Sequence, residues 1–295
     1  MVTLDWSEQE LRAEVDRILG FISQQVGTDG KVVIGLSGGI DSDVTARLCA
    51  RAIGPERMKC FTVLQDDFED KYVQNASRLT EDLNIALVQL PMSAVPKNLI
   101  RIMAEADPVV GFRPDGLLDV ARSKCALRTF IYSAYTERGY LIAGPSNRTE
   151  IELGYYLPFG DGLSHFSPIA HLYKTQVQQL AQFLGTRPAV REQQPAAGFW
   201  TGDSDLEGIA YWLYFGRPIP VEQDWTEAQE EIIHQIHMEL SFRKLDTALS
   251  LLNEGGAISQ VAEGSGLSLN TVERLAALSE QSRRIKNRPL SVRLS

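Results

Sequence analysis

The sequence predicts a doubly wound α/β fold, a parallel sheet covered by helices on both faces, with a C-terminal helical extension. Three observations carry this expectation. Short apolar, β-branched runs alternate with helical periodicity through the first half of the chain. One of them, KVVIGL at 31–36, enters a Gly-rich turn that opens a helix. After Gly160 the text changes to loops and helices, and helical spacing runs from Thr226 to about Arg284.

In chain order, Ser7 and Glu10 form a capping-box pattern, and Leu11, Val15, Ile18, Leu19 and Ile22 follow on one helical face. KVVIGL reads as a strand, and Val44, Leu48 and Ala52 mark the helix after its turn. CFTVL at 60–64, IALVQL at 85–90 and YLIAG at 140–144 are further strands, separated by helical stretches around 70–82 and 117–137. Alternation of this kind implies parallel strands. YKTQVQQLAQFLG at 173–185 is a helix stopped by Gly185. Residues 187–224, rich in Pro, Gly and Asp, read as a long functional loop without packed structure. The division drawn from this is a nucleotide-binding domain over 1–222 and a helical extension with a basic tail over 223–295.

With 295 residues and 44% hydrophobic content, the chain can bury one large core, or one core and a helical extension. A net charge of −9 and a pI near 5.1 give no global positive field for a nucleic-acid backbone or an anionic membrane. Cys49, Cys60 and Cys125 are odd in number and lack CxxC spacing, so neither a disulfide framework nor a zinc site is expected. The charged start MVTLDWSEQELRAEV is unlike a signal peptide, and no stretch approaches the ~18 apolar residues of a membrane span. The expectation is a cytoplasmic protein with neither nucleic acid nor membrane as partner.

The segment Gly35, Leu36, Ser37, Gly38, Gly39, Ile40, Asp41 and Ser42 stands where the strand ends and the helix begins. Glycines let the backbone approach a phosphate, successive N–H groups form an anion nest, and the helix N-terminus adds positive potential. The GK[ST] ending of a Walker loop is missing, and the spacing is not GxGxxG. Asp41 sits among the expected phosphates, which requires a bridging cation and implies magnesium.

At these residues the chain resembles the ATP pyrophosphatases with an SGGxDS signature, and within them the NAD synthetases, whose fold is adenine nucleotide alpha hydrolase-like. The resemblance rests on GLSGGIDS at 35–42, GPSNRTEIELGYYLPFGDG at 144–162, SPIAHLYKTQVQQLAQFLG at 167–185 and PAAGFWTGDSD at 195–205. It implies that Gly35 to Ser42 wrap the phosphates of ATP, that Asp41 and Glu150 bind Mg2+, and that Lys174 contacts the phosphates. It also implies a reaction in which a substrate carboxylate attacks the α-phosphorus and ammonia then displaces AMP, as well as a homodimer. No glutaminase segment is visible, so the nitrogen would come from free ammonia, an amine or a separate subunit.

The resemblance has gaps. Counted back without gaps from Gly144, the first two arginines of the family's ARxRM segment fall on Cys125 and Leu127. A pocket lysine falls on Pro158, an aspartate on His165, and the C-terminal His-Lys pair on Arg284-Ile285-Lys286. Two threonines become Pro145 and Ala196. Each lost charged partner costs ~1.5–3 kcal/mol of binding, so a changed acyl substrate is expected. Cys125, Arg128, Pro158 and His165 are the candidate pocket residues, and Arg122, Lys124 or Arg128 restores charge if the register shifts. The leading expectation is therefore an amide ligase for another small-molecule carboxylate. An ammonia-dependent NAD synthetase acting on deamido-NAD is the first alternative, and a non-catalytic nucleotide-binding regulator is the second.

Three other features stand beside these. His234 and His237 share a helical face without a third metal ligand. Residues 257–282 resemble a helix-turn-helix, but Glu263, Glu273 and Glu280 oppose a single Arg274, so helix packing is expected there. Tyr211, Trp212, Tyr214 and Phe215 read as core, or as a lid that keeps water from an adenylate.

Overall fold

The computed structural model describes residues 3–64, 70–196, 204–216 and 225–283, apart from the side chains at 117 and 118. Strand β1 (Lys31–Gly35) is buried at every residue after Lys31, as expected for the centre of a sheet covered on both faces. It pairs in parallel with β2 (Met58–Leu64) and β4 (Tyr140–Ile142), and β2 pairs with β3 (Leu87–Pro91), giving the order β3-β2-β1-β4.

Alternate residues of β1 feed two cores. Val32 and Ile34 join the cluster under α1 (Glu8–Val26), α2 (Ile40–Ile53) and α3 (Asp70–Asp82), whereas Val33 points to Phe61, Ile131, Tyr132 and Ile142 on the other face. That second face is covered by α5 (Leu117–Thr136), on which α4 (Ala94–Ala106) packs. Helix α1 starts where the capping box places it: the Glu10 N–H donates to Ser7 Oγ, and the Ser7 N–H donates to Glu10 Oε2.

After β4 come the short α6 (Arg148–Leu153), then α7 (Lys174–Phe183) and α8 (Pro188–Arg191). Helices α9 (Asp205–Phe215), α10 (Glu227–Glu239), α11 (Phe242–Asn253), α12 (Ile258–Ser265) and α13 (Leu269–Ser282) complete the described chain. They share an apolar cluster that includes Leu153 of α6 and Tyr173, so the C-terminal helices seat on the same segments that carry Glu150 and Lys174.

Two segments differ from expectation. The reading of 187–224 as an unpacked loop is corrected by α9, whose Ile209, Ala210 and Leu213 are buried. The Pro- and Gly-rich flanks dominate that stretch and mask the apolar run IAYWLYF between them. Helix α4 was not predicted at all. The helix-turn-helix text does form α12 and α13 around Gly266 in the left-handed region, yet Thr271, Val272 and Leu275 are buried and Arg274 donates inward to the carbonyls of Leu213 and Tyr214. The tail with Arg284 and Lys286, the basic residues of the extension's end, and 197–203 of the PAAGFWTGDSD segment lie outside the described residues.

Candidate active site

The Gly-rich turn is held from both sides. Ser37 Oγ accepts the Gly39 N–H at 3.2 Å, and Ser42 Oγ accepts the Ser37 N–H at 3.3 Å. The Gly38 carbonyl accepts Asn75 Nδ2 at 3.3 Å and Gln193 Nε2 at 3.1 Å. Gly38 has φ +77°, and a Cβ there would lie 2.2 Å from the Tyr72 carbonyl oxygen, so only glycine fits. Gly39 caps α2 with no side chain, which leaves the first helical N–H groups open to an anion. Leu36 is buried in the core, its N–H donating to the Phe61 carbonyl at 2.7 Å.

Asp41, Glu150 and Lys174 come together at the carboxyl end of the sheet, each from the first turn of a different helix. Lys174 Nζ donates to Asp41 Oδ2 at 2.5 Å and stands 3.7 Å from Glu150 Oε1. Asn147 caps α6 and joins the two carboxylates, its Nδ2 lying 2.9 Å from Asp41 Oδ1 and 2.7 Å from Glu150 Oε1. Burial and the Asp41 charge push the Glu150 carboxyl well above the usual range, against the pull of Lys174. Burial opposes the charge of Lys174, but Asp41, Glu150 and Asp205 outweigh it and hold the ammonium above the ordinary lysine range.

Asp205, the last residue of the PAAGFWTGDSD segment and the first of α9, lines the same cavity and adds negative charge toward both groups, a role the sequence reading did not assign to it. Asp41 and Glu150 thus flank the ammonium, and Asp205 adds negative charge from the cavity lining. Hard oxygen donors with excess negative charge beside an anion nest suit a divalent cation completed by phosphate oxygens. No group of three or more His, Cys, Asp and Glu side chains arranged to hold a metal occurs among the described residues, so a cation here would rely on Asp41 and Glu150 together with its nucleotide.

The turn opens into a cavity of about 590 Å³. One wall is the α5 stripe Arg122, Cys125, Arg128 and Tyr132, and another is aromatic, with Tyr155, Tyr211, Trp212 and Trp225. Ser204 Oγ and Trp225 Nε1 are buried in this lining without hydrogen-bond partners among the described residues. Of the sequence candidates, Cys125 and Arg128 reach the cavity, with Arg128 Nη1 3.5 Å from Cys125 Sγ and burial pushing the thiol up to about 12. Pro158 and His165 do not line it. His165 is exposed beside the sheet, where its Nδ1 accepts the Ile142 N–H at 3.0 Å, because a gapless count through a winding segment preserves sequence order and not direction.

The chain matches the sequence profile of the NAD synthase family over residues 14–213. It is 31% identical over 211 residues, 69% of this chain and 78% of the relative, to the NH(3)-dependent NAD(+) synthetase of Thermococcus kodakarensis. The chain belongs to the NAD synthase family. A second relative, the NH(3)-dependent NAD(+) synthetase of Methanocaldococcus jannaschii, is 27% identical over 277 residues, covering 90% of this chain and 91% of its own. Two solved structures share the fold: NMN synthetase from Francisella tularensis (TM-score 0.69, 22% identity, 98% and 99% of the two chains) and the NH3-dependent NAD synthetase of Campylobacter jejuni (0.66, 19%, 97% and 99%). Membership makes this NAD synthase-family chain a ligase that forms C–N bonds by ATP-dependent amidation. The described helices include none long and apolar enough to cross a membrane.

Proposed function

We propose that the chain amidates the pyridine carboxylate of a nicotinate nucleotide, deamido-NAD in the first place, with ATP and free ammonia. The observation that carries this reading is the cluster of Asp41, Glu150 and Lys174 at the mouth of the Gly-rich turn, beside a cavity lined by Arg122 and Arg128. Those two arginines supply the positive wall that counting without gaps had denied the acyl site, which favours the NAD synthetase alternative over a wholly changed substrate. Asp41 and Glu150 would hold Mg2+, which supplies charge neutralisation on the phosphates when bound.

Residues 1–222 would carry this chemistry and 223–295 would brace it. The backbone N–H groups of the turn and the Lys174 ammonium take up charge on the leaving pyrophosphate. A carboxylate oxygen forms the bond to the α-phosphorus as the α–β bridging bond breaks. Ammonia then bonds to the acyl carbon, AMP leaves with the bonding pair, and the nitrogen gives its extra proton to solvent. No side-chain nucleophile is needed. The intact catalytic cluster also disfavours a regulator without turnover.

A changed acyl substrate is the second reading, favoured by Cys125 in the cavity wall where the resemblance puts an arginine. A homodimer is proposed as well, supported by the exposed apolar side chains of Val95, Leu99 and Ile102 along one face of α4. Sedimentation of the parent and Ile102→Glu as a monomer would test it.

The deciding assay is pyrophosphate release from ATP, Mg2+ and ammonium with deamido-NAD, nicotinic acid mononucleotide, unrelated carboxylates or no acceptor. Turnover of ~1 per second or more with deamido-NAD supports the proposal. Release only with another acid establishes the second reading, and no release with any acid overturns both.

A further inference from the structure

We propose that Asp246, on α11 of the C-terminal helices, is a positioning residue that sets Glu150 and Lys174 through the threonine next to each. The inference rests on the amidation reading above, since it assigns those two groups to the ATP-splitting step. Asp246 is 0% exposed. Its Oδ1 accepts Thr149 Oγ1 at 2.5 Å, and its Oδ2 accepts both the N–H and the Oγ1 of Thr175 at 2.8 Å. Thr149 precedes Glu150 in α6, and Thr175 follows Lys174 in α7. Thr149 Oγ1 in turn accepts the Lys174 N–H at 2.9 Å, closing a ring that binds both helix starts to one carboxylate.

The same helix reaches the far end of that lysine. Phe242, one turn before Asp246, lies with its ring 5.4 Å below the Lys174 ammonium. Helix α11 therefore grips Lys174 at its backbone and at its charge. A buried carboxylate is a poor choice for stability alone, because an apolar side chain of similar volume in such a place often does as well or better. Three donors on one carboxylate are a good choice for geometry, since two short helices are fixed relative to each other at the residues that must converge. Displacing a reacting group by ~1 Å costs ~100-fold in rate, which is the scale on which such a clamp acts.

The test uses the full chain with Asp246→Asn, Thr149→Val, Thr149→Ser and the double variant Asp246→Asn/Thr149→Val. Kinetic constants for ATP, melting curves, and hydrogen exchange over 147–153 and 173–177 are measured for each. A positioning role predicts that Asp246→Asn and Thr149→Val each lower kcat ~10- to 100-fold with KM for ATP within ~3-fold, as expected for interactions made only in the transition state. It further predicts that the double variant falls no further than either single, that Thr149→Ser stays near the parent, and that exchange rises in the two segments while α11 remains protected. Turnover within twofold of the parent in a variant that merely melts earlier would overturn the inference, as would additive losses. If Asp246→Asn does not fold, the Thr149 pair decides by itself. Should the parent release no pyrophosphate with any acid, the amidation reading fails, and the exchange pattern alone then decides the clamp.

Discussion

The Lys174 ammonium meets the Asp41 carboxylate at 2.5 Å across 133 residues of sequence, and both side chains are largely withdrawn from solvent. Each is the other's main compensation for burial. Asp41→Asn is therefore expected to cost about 3 kcal/mol of stability, the usual penalty for orphaning one member of a buried pair. The double variant Asp41→Asn/Lys174→Met should regain much of that in thermal melts while remaining inactive in pyrophosphate release. A double variant that melts no higher than the single would show the pair to be unimportant for folding.

Glu150 gives a signed pH dependence. Its folded carboxyl lies above its unfolded value, so the folded state holds the proton more tightly. The contribution to stability is full below the ordinary glutamate range and is lost as pH rises through the folded value. In metal-free buffer Glu150→Gln should melt above the parent at pH 8 and match it near pH 4. Calorimetry across that window checks it, and a variant that melts lower at pH 8 refutes it.

Proton and metal would compete for the same carboxyl. The acid limb of activity should move down by about one unit for each tenfold rise in Mg2+, until the metal saturates. Rate profiles at three Mg2+ concentrations read this directly, and an unmoved limb separates Glu150 from the metal.

Gly38→Ala tests the turn. A left-handed φ costs an alanine ~1–2 kcal/mol, and here its Cβ also meets the Tyr72 carbonyl at 2.2 Å. The turn must open to accommodate it, raising KM for ATP at least tenfold, whereas Gly20→Ala on exposed α1 should leave KM unchanged.

Arg128→Met asks whether the α5 wall reads the acid. Losing a charged hydrogen-bond donor is worth ~1.5–3 kcal/mol, so KM for the acyl substrate should rise ~10- to 100-fold while KM for ATP holds. An equal rise in both constants would place Arg128 at the nucleotide instead.

What the sequence disclosed followed the range of the interactions involved. The phosphate turn was legible because its glycines, strand and helix start are neighbours in the chain. Glu150 and Lys174 could be named from matched segments, but their approach to Asp41 depends on tertiary packing. Asn147 was missed although Asn147 and Glu150 carry a local capping-box signature, because the glutamate had already been assigned to metal. Arg122, Cys125, Arg128 and Tyr132 line one wall because of helical periodicity, which a position-by-position count discards. Asp246 had no local signal, and Asp205, although it ends the PAAGFWTGDSD segment, was given no role there, since the importance of both lies in what folds against them.

The Tyr132 hydroxyl, on the helix that carries Cys125 and Arg128, accepts the Gly35 N–H at 3.0 Å where β1 turns into the phosphate loop. The α5 wall and the Gly-rich turn thus share a joint, and if they read acid and nucleotide as proposed, any interaction energy passing through it is reciprocal. Whatever factor ATP contributes to the grip on the acid, the acid must return to ATP, so Tyr132→Phe should weaken the cooperativity between the two ligands more than the affinity for either alone.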